Sequence, residues 1–71
     1  MKYRFGEKLR KLRKERNLTT RALSKKAKIP YDTLVALELG KSKDPKITTI
    51  IKLAKFFKIG IDEMLKGVEF K

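Results

Sequence analysis

Apolar residues in the first part of the chain recur at helical spacing. Phe5, Leu9 and Leu12 form one narrow stripe that predicts a helix over residues 3–17. Lys8, Arg10, Lys11 and Lys14 cover the rest of that helix, with Arg13 at the edge of the stripe. Gly6 lowers helix propensity in its first turn, so some fraying is expected there. Leu18 closes this first apolar patch. Thr19 is a candidate N-cap for a second helix over residues 20–27, whose inward face is Ala22, Leu23 and Ala27. The break after it is Lys28-Ile29-Pro30. Helices commonly end through a residue with positive φ, usually glycine, so Lys28 is expected to hold that conformation at a cost of about 1 kcal/mol. Pro30 cannot continue the second helix but suits the first turn of a new one.

A third helix is predicted over residues 31–39, ended by Gly40. Leu34 and Leu37 face inward, with Tyr31 and Glu38 flanking them. The outward face is Asp32, Val35, Ala36 and Leu39, which is apolar for a solvated surface. Such a face calls for a partner: thymine methyls in a major groove, or another protein. Residues 40–45, GKSKDP, are a loop by composition. The fourth helix, residues 47–57, carries Ile47, Ile50, Leu53, Ala54 and Phe57, widened by Ile51 and Phe56. A stripe that wide predicts the central helix, packed on several sides. Lys58-Ile59 repeats the Lys28-Ile29 pattern. A short fifth helix over residues 61–66 follows, with Asp62 and Glu63 near its positive end. The pattern is all-α, one domain over residues 1–66 with a C-terminal tail at 67–71.

Charge sharpens this picture. The chain of 71 residues has 20 Lys and Arg against 8 Asp and Glu, a formal charge of +12. Residues 1–28 hold 12 of the basic side chains and 2 of the acidic ones. A basic half on so small a body is a footprint for a polyanion. A thermophile-like surface would add Glu along with Lys, and Glu is scarce here. Lys41 and Lys43 are well placed for phosphates if the third helix enters a groove. The first helix is too poor in bulky apolar residues for a membrane surface. No apolar run approaches the ~18 residues of a membrane span.

The same inventory excludes much chemistry. Histidine and cysteine are absent, which removes the usual general base, thiolate metal sites and disulfides. Ser24 and Ser42 therefore have no imidazole to activate them. Asp62 and Glu63 are consecutive helical residues and do not converge on one atom. No glycine-rich phosphate loop is present. No catalytic residue, metal site or cofactor is expected; recognition remains, and a cytoplasmic protein is the expectation.

A helix, a turn of about three residues and a second helix is the DNA-binding supersecondary unit. The segments FGEKLRKLRKERNLT, RALSKKAKIPYDTLVALELGKSKDP and ITTIIKLAKFFKIGIDEML resemble the Cro and lambda-repressor-like helix-turn-helix (XRE) family over residues 5–65. Leu18-Thr19, Leu23-Ser24, Ile29, Thr33-Leu34, Glu38, Gly40, Pro45, Leu53-Ala54 and Ile61-Asp62-Glu63 carry the resemblance together. It implies a five-helix domain with the third helix as reader. Tyr31, Asp32 and Val35 match positions that reach base edges or nearby phosphates. Thr19, Thr20, Arg21, Lys41, Ser42 and Lys43 fall where the backbone is held. Thr20 stands where the family usually has glutamine, and lysines 28 and 58 stand where glycine is usual. Arg13 and Glu38 resemble a structural pair tying the first helix to the third, and Gly40 ends the latter.

The reading expected is sequence-specific binding of duplex DNA by a prokaryotic or phage transcriptional regulator acting as a homodimer. Candidate dimer surfaces are the fifth helix with the tail around Val68 and Phe70, or an exposed Phe56. No small-molecule effector or membrane is implied. Two rivals share the pattern: an antitoxin or adaptor that binds a protein partner, and a nonspecific architectural DNA-binding protein.

Overall fold

The computed structural model describes residues 4–41 and 45–68. Among them the chain forms α1 (Phe5–Glu15), α2 (Thr20–Ala27), α3 (Tyr31–Glu38), α4 (Ile47–Phe57) and α5 (Ile61–Leu65). The all-α class and the five elements agree with the sequence pattern. The bounds of α2 and α4 coincide with those expected. The other three helices are shorter, α1 by most. Arg4 is its extended N-cap, and the Arg4 amide donates to the Glu7 carboxylate at 2.9 Å. At the other end Asn17 takes φ 56° and stops the helix two residues early.

One closing device recurs at four helix ends. Asn17, Lys28, Gly40 and Lys58 all have positive φ, between 56° and 77°. In each case the amide of the following residue reaches back to a carbonyl five residues earlier. The bonds are Leu18 to Arg13 (3.2 Å), Ile29 to Ser24 (3.1 Å), Lys41 to Ala36 (2.9 Å) and Ile59 to Ala54 (3.0 Å). This left-handed closure satisfies carbonyls that the helix itself leaves orphaned. Both lysines expected to adopt it do so. After three of the four turns the chain sends an apolar residue inward: Ile29 is buried, and Leu18 and Ile59 pack against the core. The fourth turn sends Lys41 into solvent.

The core joins Phe5 and Leu9 of α1, Leu23 and Ala27 of α2, and Leu34 and Leu37 of α3. Ile50, Leu53, Ala54 and Phe57 of α4 and Met64 of α5 complete it, with Ile29 from the break. Helix α3 packs on α1 and α2; α4 packs on α2 and α5. Helix α4, packed on two sides, supplies Ile50, Leu53, Ala54 and Phe57 to the core, more than any other helix. Its wide stripe is only partly used: Ile51 is half-buried and Ile47 is 59% exposed. Phe56, which widens the stripe and is one of two dimer candidates, is half-buried and meets the Phe57 ring edge-on at 5.1 Å.

Two residues of α1 differ from expectation. Gly6 is buried against α3, and a Cβ added there would land on the Leu37 carbonyl, with its carbon at 2.8 Å and the Glu38 Cα at 3.2 Å. This glycine is the contact that lets α1 approach α3. Lys8, expected on the solvated face, is 7% exposed. Two residues on from Gly6, it lies on a different flank of α1 from the one that meets α3, and its long aliphatic stem tolerates cover there.

Alanine at position 6 would raise intrinsic helix propensity by about 1 kcal/mol. Its methyl would force backbone against backbone, where overpacking costs about 3 kcal/mol or more. The clash wins, so Gly6→Ala is expected to lower the denaturant midpoint despite the better helix former. By contrast, Lys58→Gly relieves a left-handed side chain and is expected to stabilise by about 1 kcal/mol in the same measurement.

Candidate nucleic-acid interface

The break between α2 and α3 is built by side chains as well as backbone. Thr19 Oγ1 accepts from the Ala22 amide at 3.0 Å and caps α2. At the far end Ser24 Oγ donates to the Ile29 carbonyl at 2.6 Å. Pro30, extended at φ −54° and ψ 136°, is the N-cap of α3. The Lys52 ammonium reaches from α4 to the Lys28 carbonyl at 3.4 Å. The turn is therefore held from both flanks.

Helix α3 then shows two faces. Leu34 and Leu37 are buried, at 0% and 2% exposure. Tyr31, Asp32 and Leu39 are exposed, Leu39 by 64%. Val35 and Ala36 are half-buried, so the outward face is less open at its middle than its spacing predicts. Beside it stands the start of α2, where Thr19 and Arg21 are exposed and Thr20 is half-buried. The Arg21 guanidinium lies over the Tyr31 ring, 4.4 Å from its centroid. Lys41 is exposed just past Gly40. Ser42 and Lys43 lie outside the described residues. A groove runs along the other flank of α3, from Asp32, Thr33 and Ala36 to Lys46, Thr49 and Lys52 at the start of α4.

Arg13 fixes the back of α3. Its Nε and Nη2 donate to the two Glu38 carboxylate oxygens at 2.9 Å each, and its Nη1 donates to the Leu18 carbonyl at 2.7 Å. Both side chains are largely covered, at 12% and 9% exposure. A two-pronged pair of this kind fixes orientation as well as distance. One arginine thereby joins α1, the turn between α1 and α2, and the last residue of α3.

Three features were not visible in the sequence. Arg16 donates from Nη2 to the Phe57 carbonyl at 2.8 Å and lies over the Phe57 ring, closing the end of α4. Lys46 and Lys52 border the groove beside α3. The Arg21–Tyr31 stack joins the first turns of two different helices. Its only prior sign is that both residues fall in the first turns on either side of the break.

This arrangement defines a helix-turn-helix domain, and the chain belongs to that family: the model described as "Helix-turn-helix domain" matches residues 6–69. The Cro and lambda-repressor-like (XRE) resemblance agrees with it. The chain is similar to the uncharacterized HTH-type transcriptional regulator YqaE of Bacillus subtilis, 35% identical over 89% of this chain and 53% of that protein. It is similar to the cryptic phage CTXphi transcriptional repressor RstR of Vibrio cholerae, 35% identical over 92% of this chain and 58% of the repressor. An uncharacterized HTH-type transcriptional regulator of Methanocaldococcus jannaschii is 39% identical over 80% of this chain and 85% of its own length. The chain spans about half the length of most curated relatives it matches. Among the described residues no helix is long and apolar enough to cross a membrane.

Glu38→Gln keeps the shape of the Arg13 partner but removes its charge. The expected loss is about 2 kcal/mol, because a covered guanidinium loses its charged acceptor. Urea unfolding of the variant beside the parent chain measures it.

Proposed function

We propose that this chain is the DNA-binding domain of a prokaryotic or phage transcriptional regulator, a recognition module and not a catalyst. The observation that carries the reading is α3. Its inner face is sealed into the core, while its outer face stands exposed beside a capped α2 start and a solvent-directed Lys41. An α-helix of this kind fits the ~12 Å width of a major groove.

In this reading Tyr31, Asp32 and Val35 face the base edges. Asp32 accepts from the amino group of cytosine, and the Val35 methyls touch a thymine methyl. Thr19, Thr20 and Arg21 hold one backbone strand. The Thr19 hydroxyl proton remains free to donate to a phosphate while its oxygen serves as the cap. Lys41, with Ser42 and Lys43, holds the phosphates at the other end of α3. Residues 1–66 form the binding domain and 67–71 a tail.

The chain acts on DNA as a homodimer, each copy meeting one half-site. The longest dimension of the domain, 28 Å, lets two copies lie side by side at half-sites roughly 34 Å apart, one turn of the duplex. Helix α5 is the dimer face in this reading: Ile61 is 40% exposed, and Leu65 and Val68 are half-buried beside it. Phe56, half-buried against Phe57, is the alternative dimer surface.

A second reading rests on Leu39 and Ile47, exposed by 64% and 59% on either side of the α3–α4 connection. An apolar pair there suits a protein partner. Titrating selected and random duplexes at two salt concentrations separates the readings. A regulator prefers the selected duplex at both salts. A steep salt slope without preference indicates an architectural DNA binder. No binding at low salt sinks the DNA reading and leaves the protein partner.

Two substitutions sort the contacts. Lys41→Ala is expected to weaken all duplexes alike and to reduce the salt slope by about one. Val35→Ala is expected to change the preference between duplexes at one position per half-site. Competition titrations of each variant against matched and singly altered sites give both outcomes.

A further inference from the structure

Helix α3 contains no Arg, Asn or Gln. Those side chains make the best two-pronged contacts to guanine and adenine. Yet an arginine stands at the start of α3 in space. Arg21, the second residue of α2, lies over the ring of Tyr31, the first residue of α3, with its guanidinium carbon 4.4 Å from the ring centroid. Both side chains are exposed.

The setting of Arg21 differs from that of Arg13 and Arg16. Arg13 is committed to Glu38 and the Leu18 carbonyl, and Arg16 to the Phe57 carbonyl. Among the described residues the Arg21 side chain makes no hydrogen bond and no ion pair; the ring is its contact. Stacking occupies the face of a guanidinium and leaves its rim, where all the donors lie, free. The ring also fixes where that rim points, so less side-chain freedom is lost on binding. In the major groove, O6 and N7 of guanine accept a planar donor fork of this kind.

Resting on the DNA-binding reading above, we propose that Arg21 reads a guanine in each half-site, with Tyr31 as its positioning residue. The stacked pair supplies from α2 the polar reader that α3 lacks. Tyr31 then serves through the face of its ring, not through its hydroxyl. Arg21 moves from a backbone contact to a specificity-determining one.

The test is selection of binding sites from a random duplex library with the full chain and with Arg21→Lys, Tyr31→Phe and Tyr31→Leu. The parent chain is expected to enrich one guanine per half-site. Arg21→Lys keeps the charge but loses the fork, so the preference for that guanine falls by roughly tenfold or more while other positions keep theirs. Tyr31→Phe keeps the ring and retains the preference; Tyr31→Leu loses it. Because both residues are exposed, melting temperatures are expected to match the parent.

Uniform weakening of Arg21→Lys, with the guanine still preferred, overturns the proposal and makes Arg21 a phosphate contact. Loss of the preference in Tyr31→Phe as in Tyr31→Leu overturns the role of the ring. Enrichment of sites without a dependent guanine overturns the proposal but leaves the DNA reading intact. Failure of the parent chain to bind any duplex overturns both.

Discussion

The distance between α1 and α3 governs the rest of the domain. Helix α3 is short, and only its inner residues anchor it. Its tilt is therefore set by what lies behind it. Gly6 lets the α1 backbone approach the Leu37 carbonyl more closely than any side chain would allow. Arg13, further along α1, grips Glu38 with both prongs of its guanidinium. One contact sets how near the helices come; the other sets how they are turned. The exposed face of α3 inherits its direction from both.

Helix ends supply the second layer of control. Four left-handed turns, at Asn17, Lys28, Gly40 and Lys58, redirect the chain in the same way. The residue after each turn decides what the turn is for. Leu18, Ile29 and Ile59 point back to the core, so those turns serve packing. Lys41 points to solvent, so the turn after α3 delivers a charge. Using lysine in place of glycine at positions 28 and 58 keeps local strain, about 1 kcal/mol at each. In return each ammonium sits at the negative end of its helix, which recovers part of that cost.

Much of this was readable in the chain, for reasons that differ by element. Helices α2 and α4 were bounded correctly because their ends carry local signals: Thr19 as a cap and a Lys-Ile pair after each. The inner residues of α3 followed from spacing alone. Asn17 escapes the pattern because an asparagine at a helix end suits the last turn and a left-handed close alike. The role of Gly6 is hidden in the sequence because propensity is local, while the backbone it meets lies in another helix. Ile47 lies on the apolar side yet is exposed, because periodicity shows which side of a helix is apolar, not whether a partner extends that far. Among the candidate interface residues, Tyr31, Asp32, Thr19, Arg21 and Lys41 are exposed. Val35 and Thr20 are half-buried.

The bond from Arg16 to the Phe57 carbonyl bears on how the chain comes to be folded at all. It ties the end of α1 to the end of α4, 41 residues away. Leu53, Ala54 and Phe57 also close the core from that side. When residue 41 is made, the whole helix-turn-helix exists as sequence, but the wall it must pack on does not. A chain growing from its N-terminus therefore gains its last core residues and this clasp late, after the closure entropy of a long loop has been met. The helix-turn-helix of this protein is a unit of recognition without being a unit of folding.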